Sequence, residues 1–149
     1  MTQRKPKQGY LDSILAWVSG DSSDQDVVRL ACDLLIPRKG NLYIVYVIEV
    51  HRSMYLDSEI EMATLEGERI LTQMEEIAIP YKCNVHAEML QSRTSGIAIV
   101  QEAVDKNVRA IVIGTDYTKD YGLFSLGKTI PFILKNAPCK VILWRNEIV

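Results

Sequence analysis

The strongest constraint on this chain is its alternation between two hydrophobic periods. Runs with strand character take turns with runs whose apolar residues recur every three or four positions. LDSILAWV, residues 11–18, reads as a buried strand. The turn SGDSSD follows, with several candidate N-caps. Val27, Leu30, Ala31 and Leu34 then mark one face of a helix that stops around Pro37 and Gly40. NLYIVYVIEV is β-branched and aromatic, a central strand, and HRSMYLD is a loop. Ser58 and Glu61 form a capping box opening a long helix with an apolar stripe of Ile60, Ala63, Ile70, Leu71, Met74, Ile77 and Ala78, ended by Pro80. KCNVHAEML alternates Cys83, Val85, Ala87 and Met89, a half-buried strand. Thr94 and Ser95 start a third helix carrying Ile97, Val100, Ala103 and Val104. AIVIG, a 13-residue loop, a fourth helix on Ile130, Ile133, Leu134 and Ala137, and CKVILW complete the chain. The order is βαβαβαβαβ: five strands and four helices. Such alternation predicts an α/β fold, one parallel sheet with helices on both faces. Ligands of such sheets bind beyond the carboxyl ends of the strands, where the strand order reverses. Three loops there carry suggestive chemistry: SGDSSD, IEVHRS and GTDYTKDYGLFSLGK.

Bulk properties remove several function classes. The 149 residues fit one domain, taken as 10–149 behind a flexible basic start at 1–9, and 48% hydrophobic residues supply a core. Net charge is −2, so no broad attraction to nucleic acid is expected. No apolar run reaches membrane-spanning length, and the start is a poor secretory signal, which predicts a cytoplasmic protein without membrane insertion. Cys32, Cys83 and Cys139 form no close pair along the chain and read as buried apolar thiols. Neither they nor His51 and His86 have metal-ligand spacing, so no metal is expected.

One motif points to nucleotide chemistry and then fails. GLFSLGKT, residues 122–129, fits the phosphate-loop pattern G-x-x-x-x-G-K-[ST]. That loop needs a strand running straight into its first glycine, but seven residues, TDYTKDY, separate AIVIG from Gly122. Its interior is apolar, and no hydrophobic run ending in Asp follows to hold magnesium. The helix half survives: Gly127, Lys128 and Thr129 precede IPFILKNA, and a helix N-terminus with a lysine is an anion site by geometry.

IVIGTDYTKDYGLFSLGKTIPFILKNAPCKVILWR resembles the strand, glycine loop, helix and Ala-Pro-Cys-x-Val strand of the universal stress protein family. Ala137-Pro138-Cys139 lies ten residues past Gly127. ILAWVSGDSS resembles the family's first strand and turn, and YVIEV the end of its second strand, so the resemblance spans nearly the whole chain. It implies strand order 3-2-1-4-5, homodimers joined through residues 139–144, and roles in stress tolerance, usually without a defined reaction. ATP-binding members carry Gly-x2-Gly-x9-Gly-[Ser/Thr]. Gly114 matches the first glycine and Gly127 the third. The second falls on Tyr117, and the hydroxyl position on Lys128, with Thr129 beside it. The family's adenosine-binding aspartate falls on Ser19, next to Gly20, and its backbone contact to adenine on Val47.

These departures act in opposite directions. Tyr117 in a slot needing positive φ or close approach costs about 1–3 kcal/mol, and Ser19 in place of a charged acceptor about as much again. Lys128 adds a cation for phosphate. The expectation is a stress or regulatory protein binding ATP or a related adenine nucleotide at a degenerate glycine loop. The alternative is a nucleotide-free dimeric adaptor. Catalysis is the least supported: SGDSSD matches the Ser-Gly-Gly-x-Asp-Ser loop of ATP-pyrophosphatases only at Ser19 and Gly20, and no residue is assigned a catalytic role.

Overall fold

The computed structural model describes residues 11–51, 57–115, 119–120 and 123–146. Its elements are β1 (Ser13–Trp17), α1 (Asp24–Leu34), β2 (Asn41–Glu49), α2 (Asp57–Ala78), β3 (Asn84–Ser92), α3 (Ser95–Asp105), β4 (Ala110–Thr115), the short pair β5 (Lys119–Asp120) and β6 (Leu123–Phe124), α4 (Thr129–Asn136) and β7 (Lys140–Arg145). β3-β2-β1-β4-β7 form a five-stranded sheet, and every pairing in it is parallel. This is the expected 3-2-1-4-5 order, with the reversal between β1 and β4. Within the loop read as 13 residues, β5 and β6 pair antiparallel.

Strand alternation divides the core in two. Ile14, Ala16, Leu42, Ile44, Ala110 and Val112 face Val27, Val28 and Ala31 of α1 and Ile70, Leu71 and Met74 of α2. Leu15, Val45, Ile111 and Ile113 face Ile99 and Ala103 of α3 and Ile130 and Ile133 of α4. β1 and β4 are central and almost wholly buried, so their sequences read as continuous apolar runs.

Several sequence expectations are corrected. Asp57 is already helical, so α2 begins before Ser58. α2 ends at Ala78; Pro80 sits in a single 3₁₀ turn, and Lys82 leaves it with φ 57°. Ala87 is exposed, because β3 is an edge strand and its alternation is only partly covered. On α3 the sheet-facing stripe is Gly96, Ile99 and Ala103 rather than Ile97 and Val104, which are 57% and 51% exposed. Both stripes have helical spacing. Gly96 decides between them, because a Cβ there would sit 2.7 Å from the Phe132 ring, so α4 packs where α3 has no side chain. Leu134, expected in the α4 core, is half exposed. The thiols are not three isolated groups: Cys32 and Cys83, 51 residues apart, bring their sulfurs to 4.0 Å. Cys32 is buried, while Cys83 and Cys139 are half-buried. Residues 1–9 and Tyr117 lie outside the described residues.

Candidate functional site

The carboxyl ends of the strands set out three local structures. The first is the turn after β1. Asp24, the first residue of α1 and 4% exposed, turns its carboxylate back over this turn. Its Oδ2 accepts from the Gly20 N–H at 2.8 Å and its Oδ1 from the Ser19 N–H at 3.2 Å. Gly20 has φ +89°, the left-handed conformation that suits glycine. Ser19 and Gly20 are thus brought together as expected, but their amides already serve a carboxylate of the chain.

The second is the end of β4. Gly114 points towards α1, as Val112 does two residues earlier. A Cβ on it would lie 2.6 Å from Val27 Cγ2 and 2.7 Å from Ser23 Oγ. Its lack of a side chain is therefore explained by the approach of α1 to β4, a packing role.

The third is a cleft of about 420 Å³ on the opposite face, lined by Glu49, His51, Arg93, Thr94, Gly96, Ile97, Lys128, Thr129 and Phe132. It lies between the N-termini of α3 and α4, beyond the end of β2. Volume and mixed lining are those of a small-molecule site. At its α4 side Gly127 has φ +71°, with open space where a Cβ would be. The Gly127 N–H donates to Ser125 Oγ at 3.2 Å. Lys128 is the N-cap of α4 and makes no side-chain cap hydrogen bond. The Thr129 and Ile130 amides have no intrahelical acceptor, and Pro131 carries no N–H. Among the described lining residues, Arg93 and Lys128 set two cations against one carboxylate.

That carboxylate belongs to Glu49. Its Oε1 accepts from Ser95 Oγ at 2.7 Å and from the Ser95 N–H at 3.0 Å. These hydrogen bonds, with help from His51 and Lys128, outweigh partial burial and hold its carboxyl below the ordinary 4.5. Glu49 so acts as the anion at the α3 N-terminus, which the helix dipole favours. A depressed carboxyl contributes stability that is fully present above the unfolded value and lost as pH falls through the folded one. Glu49→Gln should therefore melt below wild type at pH 7, and the gap should close as pH drops below about 4. Thermal melts across pH 3–7 test this; a constant gap would remove the charge from the explanation.

Val47 stands between these places. It is half-buried on β2, opposite Leu90. The β1 ladder ends at Trp17 and Val45, and the last bond on that side runs from the Val18 N–H to the Val45 carbonyl at 3.0 Å. Backbone groups alternate sides along a strand, so the Val47 N–H and C=O point the way of those of Val45, past the end of β1. They form a donor–acceptor pair of the kind that reads the edge of a planar heterocycle.

Of the residues singled out from sequence, Lys128 and Thr129 line the cleft, Gly127 leads into it, and Val47 lies two residues before Glu49. Ser19, Gly20 and Gly114 belong to the α1 side. Sequence reasoning missed Glu49, His51, Arg93, Thr94, Gly96, Ile97 and Phe132 as site residues. The loop IEVHRS was the one signal, and it covers only Glu49 and His51.

The family model described as the universal stress protein family matches residues 11–145. A universal stress protein of Methanocaldococcus jannaschii is 28% identical over 130 residues, 83% of this chain and 76% of that protein. Among solved structures, a universal stress protein of Lactobacillus plantarum superposes with a TM-score of 0.74 at 22% identity, over 93% of this chain and 100% of that one. The universal stress protein of Archaeoglobus fulgidus in complex with dAMP gives 0.68 at 19% identity, over 90% and 97%.

Proposed function

The chain belongs to the universal stress protein family, and from that premise we propose that it binds an adenine nucleotide, ATP or a close relative, as a stress or regulatory protein of the cytoplasm. The observation that carries this reading is the cleft between the N-termini of α3 and α4, lined by Glu49 and Lys128, with Val47 on β2 two residues before Glu49. Adenine takes the Val47 donor and acceptor. The phosphates take the α4 amides and Lys128, where helix dipole and point charge act together. A solved relative of the same fold is a dAMP complex. No described helix is long and apolar enough to cross a membrane.

Binding without dedicated chemistry fits the lining. Among the described lining residues Glu49 is the one carboxylate, and Ser95 holds it ionised, which makes it an acceptor and a poor proton donor at neutral pH.

The test begins with what leaves the purified protein on denaturation, followed by calorimetry with ATP and adenosine. Lys128→Ala should weaken ATP by roughly 5- to 150-fold, the size of a lost charged hydrogen bond. Adenosine should hardly change, and the ATP difference should shrink as salt rises. Equal ATP affinities in both proteins would leave the phosphates to the backbone alone. No binding of either ligand would favour the second reading, a nucleotide-free adaptor. The observation behind that reading is Asp24, which already occupies the β1–α1 amides.

Either reading includes a homodimer through residues 139–144. β7 is an edge of the sheet, and Leu143 on it is 38% exposed. An apolar edge strand is a template for pairing. Leu143→Glu should yield a folded monomer. Ile142 is the poorer choice, because it packs against the α1–α2 core. Sedimentation of the wild type as a monomer at micromolar concentration would sink the dimer.

A further inference from the structure

We propose that Cys32 and Cys83 form a peroxide-responsive thiol pair that closes to a reversible disulfide within one chain. Cys32 lies near the end of α1, and Cys83 just before β3. The fold brings them together across 51 residues, with Sγ to Sγ at 4.0 Å. A disulfide needs about 2.05 Å, so closure asks for an approach of about 2 Å. A cavity of about 180 Å³ borders both sulfurs, between Asp33, Ile36, Pro37 and Tyr81, and gives a small oxidant a way in. Access is unequal: Cys32 is 6% exposed, and Cys83 is half-buried.

The unequal access matches unequal chemistry. Hydrogen bonding from Cys32 holds the Cys83 thiol down to about 7. The same contact, with burial, pushes Cys32 up. Cys83 is therefore the attacking thiolate and Cys32 the resolving thiol. In the first step the Cys83 sulfur bonds to one oxygen of hydrogen peroxide, the O–O bond breaks, and the departing hydroxide takes a proton to become water. In the second, the Cys32 sulfur bonds to the Cys83 sulfenic sulfur. The S–O bond breaks, and the oxygen leaves as a second water with the Cys32 proton. Two thiols lose two electrons and two protons, and one hydrogen peroxide is reduced to two waters. Cys139 has no thiol partner in this geometry. Burial raises its pKa, which leaves it less reactive than Cys83.

The full-length protein is treated with one equivalent of hydrogen peroxide, alkylated under denaturing conditions and peptide-mapped. The expected product has lost about 2 Da, carries a Cys32–Cys83 cross-link, leaves Cys139 alkylated, and reverts with dithiothreitol. Its melting temperature should rise by several degrees, because the cross-link closes a long loop of the unfolded chain. Cys32→Ser should trap a sulfenic acid on Cys83 that a 1,3-dione labels, and Cys83→Ser should resist the same dose. The wild-type map decides the matter even where a variant fails to fold. Three free thiols after peroxide, sulfinic acid on Cys83 without a cross-link, or a disulfide between chains through Cys139 would each overturn the proposal.

Discussion

Replacing Gly114 with valine should destabilise the protein by about 3 kcal/mol, the upper part of the range for overpacking a well-filled site. The added Cβ alone would meet Val27 Cγ2 at 2.6 Å, Ser23 Oγ at 2.7 Å and Ser23 Cβ at 3.0 Å. Comfortable carbon contacts begin near 3.5 Å. Neither neighbour has room to turn aside: Val27 is fully buried and Ser23 is 1% exposed. Relief requires α1 to move off β4, which opens the core on that face. In a domain of this size 3 kcal/mol lowers the melting temperature by roughly 10 °C. Gly127→Ala is the control. That glycine has open space around it and a positive φ, so its cost is backbone strain of about 1 kcal/mol. Urea unfolding of the two variants separates the accounts. If Gly114→Val melts like wild type but loses nucleotide, the glycine serves a ligand and the packing explanation is wrong.

The comparison of these glycines shows what a sequence motif carries and what it leaves out. Gly114 and Gly127 occupy matching positions of one loop pattern, thirteen residues apart. The pattern does not distinguish a glycine emptied for a helix from a glycine turned for its φ. Only the direction of the missing Cβ does, and that depends on where α1 lands. The strand order was legible for another reason: alternating periods restrict the chain to a covered parallel sheet, and family resemblance supplied the order. Faces of single elements were less legible. α3 carries two apolar stripes of equal spacing, and the choice between them rests on Phe132, 36 residues past Gly96, filling the space over it. The same limit hid the cleft. Glu49, Arg93 and Phe132 come from separate elements and share no local pattern. Cys32 and Cys83 were likewise separate in sequence and become neighbours only when the fold brings the end of α1 to the start of β3. Tyr117, the sharpest departure from the loop pattern, lies outside the described residues, and its effect rests on the sequence argument.

Asp24→Ala should lower stability by about 2–3 kcal/mol, through loss of hydrogen bonds to a charged acceptor. Two observations set that size. The carboxylate is 4% exposed and accepts from both the Ser19 and the Gly20 amides. It also stands at the first position of α1, where negative charge favours the helix, an effect of roughly 0.3–1 kcal/mol. Ser23, the N-cap, makes no side-chain cap bond, so Asp24 is not duplicated there. Water limits the loss: Ser19 and Gly20 are exposed, and their amides can be rehydrated once the carboxylate is gone. Asp24→Asn should fall about halfway, since its single carbonyl oxygen keeps the shorter bond to Gly20 and gives up the charge. Denaturant midpoints of wild type, Asn and Ala should follow that order. The same variants bear on the ligand. With the carboxylate removed, the β1–α1 turn loses a negative charge and frees the Ser19 amide in the Asn variant and both amides in the Ala variant, and both changes favour an anion. ATP affinity measured on Asp24→Asn, the better folded of the two, should then stay level or rise. A clear fall would make Asp24 a ligand contact in its own right and would return the β1–α1 turn to the nucleotide site.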